Sequence, residues 1–193
     1  MLSYKESLKI LKETTALIEG HFILSSGLHS DKYVQCAKLL SKPNKAKEIC
    51  LSLAQKIKEN FKDIDLILSP AMGGVIIGYE IGKILNIETI FAERINGKFN
   101  LRRGFQISSG QKVLIVEDVI TTGKSSIECS NLVKNVKATI IGYACIIDRS
   151  KGKSKIDNKI VSQVKMDITT YESNNLPNHL RNIKPIKPGS RNL

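Results

Sequence analysis

This sequence predicts an α/β fold, a mostly parallel sheet flanked by helices and preceded by a small hairpin-like unit. From Ile64 onward, short apolar runs alternate with stretches of helical periodicity, the pattern of strands covered on both faces by crossover helices. Two of those runs end in glycine-containing segments, SPAMGG (69–74) and the turn at 121–125, which read as strand-to-helix connections. The chain has 193 residues and 41% hydrophobic content. That suits one globular domain over residues 1–193, burying roughly 70% of its unfolded surface without disulfide staples.

The elements follow in order. Ser3 and Glu6 form a capping box, and Tyr4, Leu8, Leu11, Thr15 and Ile18 share one stripe, predicting a first helix that stops at Gly20. Residues 21–36 place two short apolar pieces around Ser25, Ser26, Gly27, Ser30 and Asp31, a hairpin signal. After Pro43, tolerated in a first turn, Ala46, Ile49, Cys50, Leu53, Ala54 and Ile57 repeat at helical spacing. Strands are expected over 64–68, 89–92, 112–117 and 139–147, with helices over 75–85 and after Gly123. Ligands of such sheets sit beyond the carboxyl ends of the strands. The loops at 69–74, after Ala92 and after Asp118 should therefore share one rim. No internal repeat, linker or low-complexity tract interrupts the chain.

Composition narrows the function classes. Cys36, Cys50, Cys129 and Cys145 form no CxxC pair and sit among apolar or helical neighbours, so buried reduced thiols and a cytoplasmic location are expected. No apolar run approaches the roughly 18 residues that span a bilayer. Glu6 and Glu13 interrupt any apolar leader, so the chain is expected to begin at or near Met1, with no membrane partner. Thirty Lys and Arg against eighteen Asp and Glu give +12. Much of that excess is single lysines such as Lys42, Lys45, Lys47, Lys56 and Lys58, the pattern of a solvated face. With 5% aromatics and no arginine-rich tail, a stacking platform for nucleic acid is poorly supported, and a phosphorylated small substrate accounts for part of the charge. His21, His29 and His179 lack metal-ligand spacing, and no Ser-His-Asp or Cys-His arrangement stands out.

The segment VLIVEDVITTGKSS (113–126) concentrates the chemistry. An apolar run meets the acid pair Glu117 and Asp118, then Val119, Ile120 and a turn of Thr121, Thr122, Gly123, Lys124 and Ser125 that opens a helix. Backbone N–H groups at a helix start, a glycine permitting close approach and short hydroxyl donors suit a phosphate. The carboxylates repel that anion and must face sugar hydroxyls, a cation or developing positive charge. A sugar phosphate satisfies both halves. Gly123, Lys124 and Ser125 also match the end of a P-loop, but the required glycine five positions before Gly123 is Asp118. A plain strand end with a capped helix would leave the paired acids unexplained. In SPAMGG, Ala71, Met72, Gly73 and Gly74 offer a second anion turn, against the alternative of glycines needed only for packing. Residues 91–105 gather Arg94, Lys98, Arg102 and Arg103 around Asn96 and Gly97, either a mobile cationic flap or a solvated basic hairpin.

The order of these features resembles the phosphoribosyl diphosphate (PRPP) signature of the type I phosphoribosyltransferases. FILSSGLHSDKYVQC, FAER followed by LRRGF, VEDVITTGKS, Asp148-Arg149 and the terminal KPGSR together resemble the orotate-specific branch of that family over nearly the whole chain. The resemblance implies a type I phosphoribosyltransferase-like sheet with a hood from about residues 1–40 plus a C-terminal segment. It implies that Glu117 and Asp118 hold the ribose, with Asp118 catalytic, that residues Thr121 to Ser125 cradle the 5-phosphate, and that Val119 and Ile120 also belong to the PRPP-binding residues. Ala71, Met72 and Gly73 would hold the diphosphate, with a non-proline cis peptide between Ala71 and Met72, and Arg94 would help bind PRPP. Lys98 is the expected catalytic lysine, offered across a homodimer interface. Thr121 and Arg149 would contact orotate beneath a hood around Ser26, Gly27, Tyr33 and Val34, and Mg²⁺ would be carried mainly by PRPP. Two features depart from the family pattern. Ser25 stands where a hood lysine is frequent, and Leu176, Pro177, Asn178 and His179 replace a CPxC segment of some relatives. A purine or uracil phosphoribosyltransferase would share the PRPP loop but lack the hood and Arg149. A PRPP-binding regulator of nucleic acid is the non-enzyme alternative, resting on +12.

Overall fold

The computed structural model describes residues 1–24 and 26–188. Ser25 and residues 189–191 of the KPGSR match lie outside the described residues. Helix α1 (Tyr4–Glu13) opens on the expected capping box, the Glu6 N–H donating to Ser3 Oγ and the Ser3 N–H to Glu6 Oε2. Its end differs from expectation. The Thr14 hydroxyl donates back to Ile10 O at 2.8 Å, Thr15 takes φ 55°, and Ile18 and Gly20 belong to strand β1 (Leu17–Ile23). Two consecutive β-branched residues with hydroxyls that compete for backbone carbonyls stop the helix before Gly20 can act. Its buried face is Ser7, Ile10 and Leu11, and Tyr4 is exposed.

Strand β1 pairs antiparallel with β2 (His29–Val34), forming the predicted hairpin. The Ile23 N–H donates to Ile186 O and the Ile186 N–H to His21 O, so the C-terminal segment closes onto this small unit. His21 Nδ1 lies 2.7 Å from Ile183 O, and its Nε2 lies 2.6 Å from His29 Nδ1. The two histidines are thus a buried structural pair that ties the hairpin to that segment. A short helix the sequence pattern did not predict, α2 (Cys36–Leu40), leads into α3 (Pro43–Asn60), whose buried face includes all six residues expected for it.

Among the described residues the main sheet has six strands: β3 (Leu66–Pro70), β4 (Thr89–Ile95), β5 (Lys98–Leu101), β6 (Lys112–Ile120), β7 (Thr139–Asp148) and β8 (Ile160–Lys165). Their order is β5-β4-β3-β6-β7-β8, parallel throughout except for β5 against β4. Helix α4 (Gly73–Leu85) follows β3 and α5 (Lys124–Asn135) follows β6. Leu114 and Val116 of β6 join the apolar cluster shared with α3 and α4, whereas Val113 and Ile115 join the cluster shared with α5. The two-residue alternation of a strand thus feeds both faces of the sheet. All four cysteines are buried and free.

The segment after Ala92, expected as a loop with a basic hairpin as the alternative, is a tight hairpin. β4 continues to Ile95, Asn96 and Gly97 turn with φ 50° and 81°, and Ile95 faces Lys98 in β5. Two consecutive positive-φ residues, Asn then Gly, suit a two-residue hairpin whose twist matches its strands. β8, β5 and the two-residue strand β9 (Thr170–Tyr171), which extends the small sheet beside β2, were also not predicted. The chain leaves β3 towards β4 on one side and returns through β6 on the other. The loops after β3 and β6 therefore part at a topological switch point, where open α/β sheets bind ligands.

Candidate active site

The switch point brings SPAMGG and the acid pair into contact. A Cβ placed on Gly73 would lie 2.7 Å from Asp118 Oδ1, and one on Gly74 would lie 3.0 Å from Val116 O. Only glycine permits this approach. The expected cis peptide between Ala71 and Met72 is present, and Gly73 and Gly74 form the first turn of α4, where unpaired N–H groups gather. Asp118 is half-buried, its Oδ1 accepts the Val119 N–H, and its own carbonyl lies 4.0 Å from Cys36 Sγ. Burial raises its pKa above the usual aspartate value.

Glu117 faces the other side of the sheet. Its Oε2 accepts a hydrogen bond from Ser126 Oγ in the first turn of α5. Burial pushes its pKa up to about 7; the Ser126 hydrogen bond and Arg94 oppose that rise, and the Asp118 charge adds to it. The acids are therefore neighbours in sequence that address different elements: Asp118 the diphosphate-type loop and the start of α2, Glu117 the helix that carries the phosphate-type loop.

That second loop is built around Gly123, the left-handed N-cap of α5 at φ 78°. A Cβ there would lie 2.8 Å from Ile156 Cγ1, and the Lys155 N–H donates to Thr122 O at 3.4 Å, so residues 154–156 support the turn from beneath. Thr121, Thr122 and Lys124 are exposed and Ser125 is half-buried, leaving hydroxyls and helix N–H groups available. Val119 and Ile120 pack their side chains into the two apolar clusters, so their contribution is through backbone alone.

Arg149 follows β7 on the same rim, its N–H donating to Ile120 O at 2.8 Å. The side chain is half-buried, with Tyr33 and Cys36 among its electrostatic neighbours, and its Nε is buried without a partner among the described residues. Burial lowers its pKa from the usual guanidinium value. Asp148 forms no ion pair with it among the described residues, and Asp148 Oδ1 accepts the Ser150 N–H. An unpaired buried guanidinium donor beside two anion turns is a place for a planar anion.

The basic hairpin divides. Arg94 donates Nη1 to Gly97 O at 2.7 Å, pairs Nη2 with Glu128 of α5 at 2.6 Å and lies over the Phe99 ring. Any phosphate contact by Arg94 would exchange those partners. Arg103 forms a two-pronged pair with Glu93. Lys98 is exposed at the start of β5, and no hydrogen bond or ion pair among the described residues brings it to Asp118. Sequence reasoning missed Ser126, Glu128, Cys36 and residues 154–156. Their roles come from spatial neighbours far along the chain or on a helix face, which no local motif announces.

A phosphoribosyl transferase domain matches residues 37–180, which include every expected contact residue of the two anion turns, the acid pair, the basic hairpin and Arg149. The chain belongs to the phosphoribosyltransferase family. Among relatives of this phosphoribosyltransferase, the orotate phosphoribosyltransferase of Caldicellulosiruptor saccharolyticus is 47% identical over 186 residues, 96% of each chain. That of Caldicellulosiruptor bescii is 46% identical over 184 residues, 95% of this chain and 96% of the other. The structure of the orotate phosphoribosyltransferase from Aeropyrum pernix superposes with a TM-score of 0.72 at 21% identity, covering 82% of this chain and 92% of that one. The Mycobacterium tuberculosis enzyme in complex with inorganic phosphate gives 0.65 at 19%, covering 82% and 95%. At such identities the structural likenesses speak to the fold alone, which is that of the type I phosphoribosyltransferases.

Proposed function

We propose that this phosphoribosyltransferase transfers the 5-phosphoribosyl group of PRPP to orotate, releasing orotidine 5-phosphate and pyrophosphate in de novo pyrimidine synthesis. The observation that carries the choice of base is Arg149, a guanidinium with a buried donor left unpaired on the rim that holds both anion turns. It suits the orotate carboxylate, and the relatives 46–47% identical over nearly the whole chain are orotate phosphoribosyltransferases.

In this reading Thr121, Thr122, Gly123, Lys124 and Ser125, with the backbone of Val119 and Ile120, receive the 5-phosphate at the start of α5. Ala71, Met72 and Gly73 receive the diphosphate at the start of α4. Glu117 and Asp118 hold the ribose hydroxyls and favour the positive character that the ring acquires as the glycosidic bond breaks. Thr121 and Arg149 orient orotate under the hood so that N1 meets the anomeric carbon. Arg94 and Lys98 add cationic charge where pyrophosphate departs, Lys98 serving as the catalytic lysine. No trio of His, Cys, Asp or Glu among the described residues forms a metal cage. The two acids address opposite faces, which fits Mg²⁺ held mainly by PRPP oxygens, with Asp118 nearest the diphosphate turn. When bound it supplies neutralising charge there.

A homodimer in the cytoplasm completes the proposal. Met72, Ile76 and Tyr79, spaced along one exposed face at the start of α4, form an apolar patch that a second copy would cover. The deciding experiment offers PRPP and Mg²⁺ with orotate, hypoxanthine, adenine or uracil. Orotate alone should be consumed, with one pyrophosphate released per base; preference for another base overturns the assignment.

A further inference from the structure

Helix α5 does more than present the phosphate turn. Ser126, in its first turn, is fully buried and its Oγ donates to Glu117 Oε2, the only hydrogen bond to that carboxylate among the described residues. The cation whose charge acts on it, Arg94, is already engaged, being held by Gly97 O and by Glu128, two residues beyond Ser126 in the same helix. Gly123, which caps α5 at the phosphate turn, is three positions before Ser126. The acid and the turn are thus fastened to one helical turn, a rigid element with a rise of about 1.5 Å per residue.

We propose that Ser126 is a positioning residue that locks the Glu117 carboxylate to the helical turn carrying the phosphate loop, so that the ribose hydroxyls and the 5-phosphate are gripped at one fixed separation. Without the hydroxyl, a glutamate side chain regains rotamer freedom that must be lost again when the sugar binds. The assignment rests on the reading of Glu117 as a ribose ligand.

The test compares Ser126→Ala, Ser126→Cys, Ser126→Thr and Glu117→Gln in full-length protein, with melting curves recorded for each. The Cys variant keeps the volume and weakens the donor, so it decides if the Ala variant folds poorly. Both should raise KM for PRPP about tenfold, the worth of one hydrogen bond to a charged group, with KM for orotate unchanged. The acid limb of kcat/KM against pH should move to higher pH, because the lost hydrogen bond favoured the ionised carboxyl. The Thr variant, which keeps the hydroxyl, should restore both readouts. Unaltered KM for PRPP and an unaltered pH limb in folded Ala and Cys variants overturn the positioning role while Glu117→Gln remains impaired. A Glu117→Gln enzyme with normal PRPP kinetics overturns the ribose reading itself, and the proposal with it.

Discussion

Adjacent side chains on a strand leave its two faces in opposite directions, so Glu117 and Asp118 are anchored by different elements even where they serve one ribose. Asp118 touches the glycine turn after β3 and lies over Cys36; Glu117 is tied to α5. Replacing Asp118 by Asn keeps the shape and removes the charge opposite the developing ribosyl cation. Turnover should fall roughly 10²- to 10³-fold, as for other groups that stabilise transition-state charge, with the melting midpoint nearly unchanged. Steady-state kinetics beside calorimetry checks this, and near-normal orotate turnover would sink the role. Glu117 gives a separate prediction. Its folded pKa is raised from 4.5 to about 7, so over that interval the native state holds a proton the unfolded chain has released, and stability falls as pH rises through the window. Above it the cost is fully present. Glu117→Gln should flatten this part of the pH dependence, measured as melting midpoints at about pH 5 and pH 8 without substrate. The acids were legible from sequence because a paired charge at a strand end is unusual. Their separate partners were not, because Ser126 and Gly73 reach them only through the packing of α5 and α4.

At the scale of the element, glycines mark where two elements meet too closely for a side chain. Gly142 of β7 has Phe61, at the end of α3, where its Cβ would be, 2.3 Å from the ring. Gly142→Ala should cost about 1 to 3 kcal/mol of stability by overpacking, read from urea unfolding, and leave KM for PRPP alone. Gly73→Ala places its methyl against the Asp118 carboxylate and should do the reverse: a large loss of kcat/KM for PRPP with a modest change in melting midpoint. Equal loss of stability in the two variants would contradict this division of labour. The alternating core, α3, α4, α5 and four of the main strands were readable because their apolar periods are long or repeated. β5 and β8 were not, since a charged edge such as Lys98 to Leu101 takes its strand form from the Asn96-Gly97 turn and its neighbour β4, not from a hydrophobic pattern. The end of α1 was misplaced because Thr15 and Ile18 continue the helical spacing, while the Thr14 hydroxyl and the pairing of Leu17 with Val34 favour a strand.

For the whole molecule the proposed role of Lys98 turns on which subunit's rim its hairpin serves. Within one chain the lysine stands exposed at the tip of a hairpin beside Arg94 and Arg103, which are engaged with Gly97, Glu128 and Glu93. In the homodimer proposed above, with a second copy on the apolar face of α4, Lys98 of one copy would serve the partner's diphosphate. Two measurements bear on this. Ile76→Glu places a charge in the centre of that patch and should convert a dimer to monomer in light scattering, with loss of activity that returns in part at high protein concentration. Lys98→Ala and Asp118→Asn, each nearly inactive alone, should regain activity when mixed under conditions that exchange subunits. Random pairing makes half the dimers mixed, and each mixed dimer has one site with both native residues, so about a quarter of wild-type activity is expected. Recovery near that level places the lysine across the interface. No recovery in heterodimers verified by mass spectrometry returns Lys98 to its own subunit, and with it the requirement that the β4–β5 hairpin bend over the rim on which it was folded.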